Sequence, residues 1–125
     1  VIRASARSKK HLESLGWRVG SVERFIPYRN IRIDLFGILD LVCLLPGRIL
    51  GVQACAASTA AAHLKTLLTE GGTGAWLSAG GEIEIHSWAL RGGRGQRKKW
   101  TVKVIPIKAA DLSRWQSEQQ PSTSQ

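Results

Sequence analysis

Hydrophobic positions repeat with a helical period at the start of the chain and with a strand period near its end. Ala4, Ser8, Leu12 and Leu15 recur at three-to-four spacing, which predicts a helix over residues 4–15, and Gly16 follows where a C-terminal cap belongs. Residues 17–26, rich in β-branched and aromatic side chains before the breaker Pro27, predict a strand. A polar excursion follows over residues 28–32. Two mostly apolar runs, 33–45 and 48–56, are separated by Pro46-Gly47, a hairpin signal, and runs this apolar predict strands covered on both faces. Ser58 or Thr59 is placed to cap a second helix through Ala60, Leu64, Leu67 and Leu68, ended by Gly71-Gly72. Residues 74–81 read as a short glycine-bounded piece. Residues 82–88 alternate polar with apolar positions as a strand with one solvated face, 91–99 as a loop, 100–107 as a last strand and 108–116 as a short final helix. The order helix, three strands, helix, two strands predicts an α/β or α+β sandwich, one central sheet covered by helices, within a single domain over 1–116. The polar stretch 117–125, with Pro121, reads as a disordered tail.

Composition narrows the function classes. A chain of 125 residues, 43% hydrophobic, is long enough to bury a core without disulfide staples. Eighteen Lys and Arg against nine Asp and Glu leave a formal charge of +9, which makes phosphate polymers the first candidate partners. The longest apolar stretch, 35–46, is interrupted by Asp40 and falls well short of the roughly 20 residues a membrane-spanning helix needs. No basic amphipathic helix with large apolar anchors suggests a membrane surface. The first residues show no apolar run of the secretory kind, and a start at Val rather than Met predicts a processed or trimmed chain. With two cysteines and no Cys/His cluster, a disulfide framework and a structural zinc site are not indicated, and a reducing, cytoplasmic setting is expected. His11, His63 and His86 share no metal-ligand spacing. A nucleophile elbow, a P-loop and a dinucleotide fingerprint are absent from the sequence.

Asp40 is the anomaly, because the apolar run around it would leave an unpaired carboxylate expensive to desolvate. If Pro46-Gly47 is a two-residue loop, Leu45 faces Arg48 and Asp40 faces Gln53, side chains on one face with Cβ atoms about 5 Å apart. Two oxygen-bearing groups at that separation can share a divalent cation, and hard oxygen ligands suit Mg²⁺. Asp34, six residues before Asp40, points to the same face if the strand is continuous; it is either a third oxygen ligand or a strand-edge acid paired with Arg32 or Arg29. Arg91, Arg94, Arg97, Lys98 and Lys99 place five cations in nine residues between Trp88 and Trp100, a loop able to follow a phosphate backbone while the aromatic rings stack on bases. The bland alternative is a solvated charge run beside two core tryptophans. Arg3, Arg7, Lys9 and Lys10 add cations on the first helix.

Leu35-Phe36-Gly37-Ile38-Leu39-Asp40, a hairpin, and then Gly51-Val52-Gln53-Ala54-Cys55 resemble the core of the PD-(D/E)XK nuclease superfamily, and within it the small phage-type and Holliday-resolvase-like members. The resemblance implies a restriction-endonuclease-like αβββαβ sandwich over roughly residues 4–107, with a mixed central sheet flanked by helices. It also implies Asp40 and Gln53 as metal ligands, and a lysine two residues beyond Gln53 to help activate water. Cys55 stands there instead, which no longer supplies a fixed charge; Lys65, on the second helix, is the candidate substitute, or simply an exposed lysine. An acid on the first helix corresponds to Glu13, with Glu23 on the first strand as the alternative. The expectation is a Mg²⁺- or Mn²⁺-dependent DNA endonuclease in a bacterial or phage-infected cell, acting as a homodimer because two strands have to be cut. Two other readings stay open: a nuclease-fold nucleic-acid-binding or assembly module without chemistry, and a basic scaffold that binds only protein.

Overall fold

The computed structural model describes residues 2–119. Helix α1 (Ala4–Ser14) buries Ser5, Ser8 and Leu12, a stripe one turn apart along a single face. It ends as the spacing predicts: Gly16 sits at φ +97°, its N–H bonds the Glu13 carbonyl, and the Trp17 N–H returns to the Leu12 carbonyl, both at 3.1 Å. Strands β1 (Arg18–Ser21), β4 (Leu41–Leu45) and β5 (Arg48–Ala56) form an antiparallel meander. The Pro46-Gly47 turn, with Gly47 at φ 73°, sets the expected register, Leu45 opposite Arg48. A 3-10 turn (Ala57–Thr59), α2 (Ala60–Thr69) and α3 (Gly71–Ser78) cross back to β6 (Glu82–Arg91), which runs parallel to β5. Strand β7 (Lys99–Ile107) pairs antiparallel with β6, and α4 (Ala109–Gln119) follows.

The result is an α/β fold: a five-stranded mixed sheet in the order β1-β4-β5-β6-β7 with four α-helices among the described residues. Because β5 is central, its alternate residues enter two different cores. Leu50 and Val52 meet Leu41, Cys43 and Leu12 beneath α1, whereas Cys55 joins Ile38, Leu39, Leu67, Ile83, Ile85 and Ile107. Helix α1 is also pinned to β6 by polar contacts: the Ser8 hydroxyl oxygen accepts the Trp88 indole N–H at 2.8 Å and lies 3.0 Å from His86 Nδ1. None of the described helices is long and apolar enough to cross a membrane.

Several expected elements are redrawn. The strand expected over 17–26 is two, β1 and β2 (Arg24–Ile26). The polar excursion is the turn and return arm of a separate two-stranded hairpin, with β3 (Ile31–Ile33) pairing Phe25 with Arg32. The run 33–45 is not one strand either; it reverses over Leu35–Leu39, where the two residues exchange backbone bonds at 2.9 and 3.0 Å, before β4 begins. Left-handed backbone drives both reversals, at Asn30 (φ 52°), Phe36 (φ 56°) and Gly37 (φ 73°), and a hydrophobic pattern carries no trace of it.

The glycine-bounded piece is helix α3, which tertiary packing holds against its poor propensity. A Cβ on Gly72 would come within 3.1 Å of the Phe36 Cβ, so the missing side chain lets α3 seat on the 35–39 turn. Thr59 bonds the Ala56 carbonyl rather than capping α2 with its side chain. Backbone of the expected tail is helical through residue 119, and the rest of it, 120–125, lies outside the described residues.

Gly51 is a second place where a side chain does not fit. A Cβ there would lie 2.5 and 2.7 Å from the two Leu39 methyls, and Leu39 is fully buried. Gly51→Ala is therefore expected to cost about 1–3 kcal/mol by overpacking, read as a lower midpoint in urea.

Candidate metal centre and basic hairpin

The acid that breaks the apolar run is built into the sheet rather than lying on it. Asp40 immediately precedes β4; its N–H bonds the Val52 carbonyl and its carbonyl accepts the Val22 N–H, both at 2.9 Å. Regular pairing ends at Leu41 opposite Val52, so Asp40 does not simply sit across from Gln53. Its carboxylate instead reaches past Gln53 and accepts the Ala54 N–H at 2.9 Å. Only 4% of Asp40 is exposed.

Two further acids arrive from the β2–β3 hairpin. Glu23 precedes β2 and Asp34 follows β3, and the Arg24–Ile33 pairing brings them alongside each other. One ligand oxygen each of Glu23, Asp34 and Asp40 lies within 4.8 Å of the others, a set of three hard donors that can hold a metal ion. Asp34 thus joins Asp40 as expected, but through a chain reversal and not along a continuous strand.

Electrostatics of the cluster is lopsided. Burial, reinforced by the neighbouring Asp34 carboxyl, raises the Asp40 pKa to about 8 against the opposing pull of the Ala54 N–H. Burial pushes Glu23 in the same direction, but the bonds from Arg3 and Ser5 outweigh it and leave that carboxyl below its ordinary value. Arg3 pairs with Glu23 at 2.7 Å, and Ser5 Oγ donates to it at 3.1 Å. A cavity of about 230 Å³ lined by Arg3, Lys9, Ser21 and Glu23 opens beside this edge of the cluster. Asp40, the innermost acid, is therefore the one that keeps its proton at neutral pH.

The remaining candidates separate. Gln53 is buried, and its amide nitrogen lies 3.2 Å from Nδ1 of His63 on α2. Lys65 is exposed, about 200° round α2 from His63, so the helix directs His63 rather than Lys65 towards β5. Glu13 is exposed on α1 and paired with Lys9 at 3.1 Å; the acid brought to Asp40 near the first helix is Glu23. Cys55 is a buried free thiol, and burial together with the nearby Asp40 charge raises its pKa, so the position after Ala54 holds a neutral group.

Arg91 closes β6, Lys99 opens β7, and Arg94, Arg97 and Lys98 lie on the loop between them, all exposed. Since Ala56 at the end of β5 pairs with Trp88, the continuation of β6 carries this hairpin beyond the sheet end at which Ala54 holds Asp40. The two flanking tryptophans differ. Trp88 is a core residue tied to Ser8, whereas Trp100 is half-exposed with the Arg7 guanidinium 3.9 Å from its ring centroid.

Sequence reading gave Glu23 only as an alternative and passed over His63. A signal for the first lay in Pro27 and Asn30, turn residues that make Glu23 and Asp34 the two feet of one hairpin. His63 has no local signal, since its role depends on where α2 docks. Compared with protein-family models, curated proteins and solved structures, the chain matches none.

In metal-free protein the folded Asp40 carboxyl holds its proton up to about pH 8, while the unfolded one releases it near 3.8. Stability contributed by the protonated form is thus lost as pH rises from that lower value towards about 8. Asp40→Asn, which keeps an acceptor for Ala54 without the charge, is expected to raise Tm at neutral pH in chelator by about 4 °C for each kcal/mol relieved. Mn²⁺ should stabilise the unsubstituted protein and leave the variant unmoved, both read by thermal denaturation.

Proposed function

We propose that the protein is a divalent-metal-dependent DNA endonuclease of the restriction-endonuclease-like kind, hydrolysing phosphodiester bonds. The observation that carries this reading is the convergence of Glu23, Asp34 and Asp40 within 4.8 Å at the end of a β-meander. The antiparallel run β1-β4-β5 followed by a helical crossover to a parallel β6 is the order that such an αβββαβ core requires, with the β2–β3 hairpin inserted.

Glu23, Asp34 and Asp40 would hold Mg²⁺ or Mn²⁺, since three converging carboxyl oxygens fit a hard cation, which would displace the Asp40 proton on binding. Such a cation, when bound, supplies charge neutralisation at a phosphate oxygen and a lowered pKa for an attacking water. Asp40 keeps its orientation through the Ala54 N–H, which fixes one carboxylate oxygen and leaves the other for the ion. His63 Nδ1 accepts from the Gln53 amide nitrogen, so that Gln53 would have only its carbonyl oxygen to offer an ion. Arg91, Arg94, Arg97, Lys98 and Lys99 hold the DNA backbone beyond the same end of the sheet.

The neutral Cys55 favours a second reading, a nuclease-fold module that binds nucleic acid without cutting it. Incubation with single-stranded and duplex DNA in Mg²⁺ or Mn²⁺ separates the two. Cleavage that Asp40→Ala lowers by at least about a hundredfold, with DNA retention unchanged, is the expected result. DNA retained but left intact in both metals refutes the enzyme and leaves the module; no retention at low salt refutes both. Charge reversal of Arg94 and Lys98 is expected to flatten the salt dependence of binding by about one unit of slope for each phosphate no longer neutralised, read by fluorescence anisotropy across a salt series.

A further inference from the structure

The β2–β3 hairpin is poorly accounted for by stability. Its strands are three residues each, it pairs with no other strand, and it exposes Phe25, Tyr28, Ile31 and Ile33, Tyr28 at 86%. An isolated two-stranded hairpin is marginal in water. Nothing in the packing of the two cores requires one that also leaves aromatic rings in solvent.

Charge indicates what the finger meets. Residues 24–33 carry Arg24, Arg29 and Arg32 and not one acid, so the exposed aromatic surface is wholly cationic. Strand alternation then orders it: Glu23 and Phe25 lie on one face, and so do their partners Asp34 and Arg32. The Arg32 guanidinium is 5.2 Å from the centre of the Phe25 ring, and its charge reaches Glu23, where it helps lower the carboxyl pKa. The acid cluster thus continues outward, along one face, into a stacked arginine and phenylalanine, with Tyr28 at the tip.

We propose that this hairpin is a nucleic-acid finger, in which Phe25 and Tyr28 stack on unpaired bases while Arg24, Arg29 and Arg32 hold the adjoining phosphates, so that the protein selects DNA with an unpaired stretch next to the acids. Stacking requires a base face that an intact duplex does not offer, whereas arginine contacts to phosphate do not discriminate. Specificity is therefore assigned to the two rings and strength to the three cations. The inference rests on the nuclease reading of the acid cluster, because that reading supplies the DNA.

The test is binding in chelator, which removes catalysis from the measurement. Two labelled DNAs are compared by anisotropy, an intact duplex and the same duplex with a short gap whose unpaired strand carries 2-aminopurine. The unsubstituted protein is expected to bind the gapped DNA about tenfold more tightly and to quench the 2-aminopurine. Phe25→Ala and Tyr28→Ala should each reduce that preference several-fold, as expected when a stacked base loses its partner. Arg29→Ala should weaken both DNAs alike and lower the salt slope by about one. Both rings are exposed, so thermal denaturation of the variants should match the parent and exclude unfolding as the cause.

Equal affinity of the parent for both DNAs overturns the finger, as does a preference that survives both ring substitutions. A parent that self-associates in sedimentation and loses this on Phe25→Ala, with DNA binding unchanged, also overturns it and assigns the surface to protein. Cleavage in Mg²⁺ with no gap preference would refute the finger alone. Gap preference without cleavage would refute the enzyme alone.

Discussion

The hydrogen bond from the Ala54 N–H to the Asp40 carboxylate is the constraint around which the molecule is arranged. It takes an acid that would otherwise have to avoid the interior and fixes it between the start of β4 and the central strand, at 4% exposure. A single neutral donor does not offset the desolvation of a carboxylate, and the pKa near 8 records the shortfall. Instead of a cationic side chain at Asp40, the fold supplies two more acids. Arg3 pairs directly with Glu23, whose side chain is itself largely buried, and reaches Asp40 only at longer range. An arrangement that gathers carboxyl groups at its least hydrated point, and holds a proton there, is unfavourable for folding as pH rises, and a divalent cation is a partner that would reverse the sign of that energy.

The same constraint explains the irregular chain between β1 and β4. Strand β1 stops at Ser21, where Val22 gives its N–H to the Asp40 carbonyl, and the chain then leaves the sheet for the length of the hairpin. It returns through the tight reversal at Leu35–Leu39, whose apolar residues Ile38 and Leu39 are driven fully into the core. Leu39 packs over Gly51, which has no side chain to obstruct it, and Phe36 packs against Gly72 on α3. Two glycines in different elements thereby accept one turn. The position of Asp40 is set by the packing of this turn into the core beneath α2 and α3, not by its own strand.

Legibility in the sequence followed the range of the interactions concerned. Gly16 after a helical stripe, Pro46-Gly47 between apolar runs and the alternation of 82–88 are local signals, and each marks its element, although β6 lies between two strands and is buried on both faces over 85–88 where its pattern predicts one solvated face. From Leu45 opposite Arg48, the register carried Asp40 to within one residue of its actual partner on β5. What stayed hidden was non-local or stereochemical. Left-handed φ at Asn30 and Phe36 turns the chain back where the pattern predicts only a polar stretch and one continuous strand. Docking of α2 selects His63 over Lys65 by a difference of two positions on one helix, which composition alone does not reveal. Glu23 was visible only as an alternative because its contact with Asp34 depends on a hairpin that reads, residue by residue, as a polar interruption.

Cys55 bears on how such a centre would operate. A lysine there would have to place an ammonium among Ile38, Leu39, Ile83 and Ile85, the apolar cluster in which the thiol is buried, close to Asp40. Buried ammonium groups lose their proton readily, so a cation at this point would depend on the carboxylates for its charge. A thiol requires no such support and stays neutral, which adds no competing cation to the carboxyl oxygens of the cluster. Fixed positive charge is supplied instead from outside the apolar core: Arg3 on α1, Arg32 on the hairpin, and the five cations at the β6–β7 end. These are exposed groups at the rim of the site, where they can contact phosphate without the cost of burial. On the proposed reading, the chain would separate two tasks that one buried lysine would combine, attraction of the anion at the surface and neutralisation by a metal in the interior.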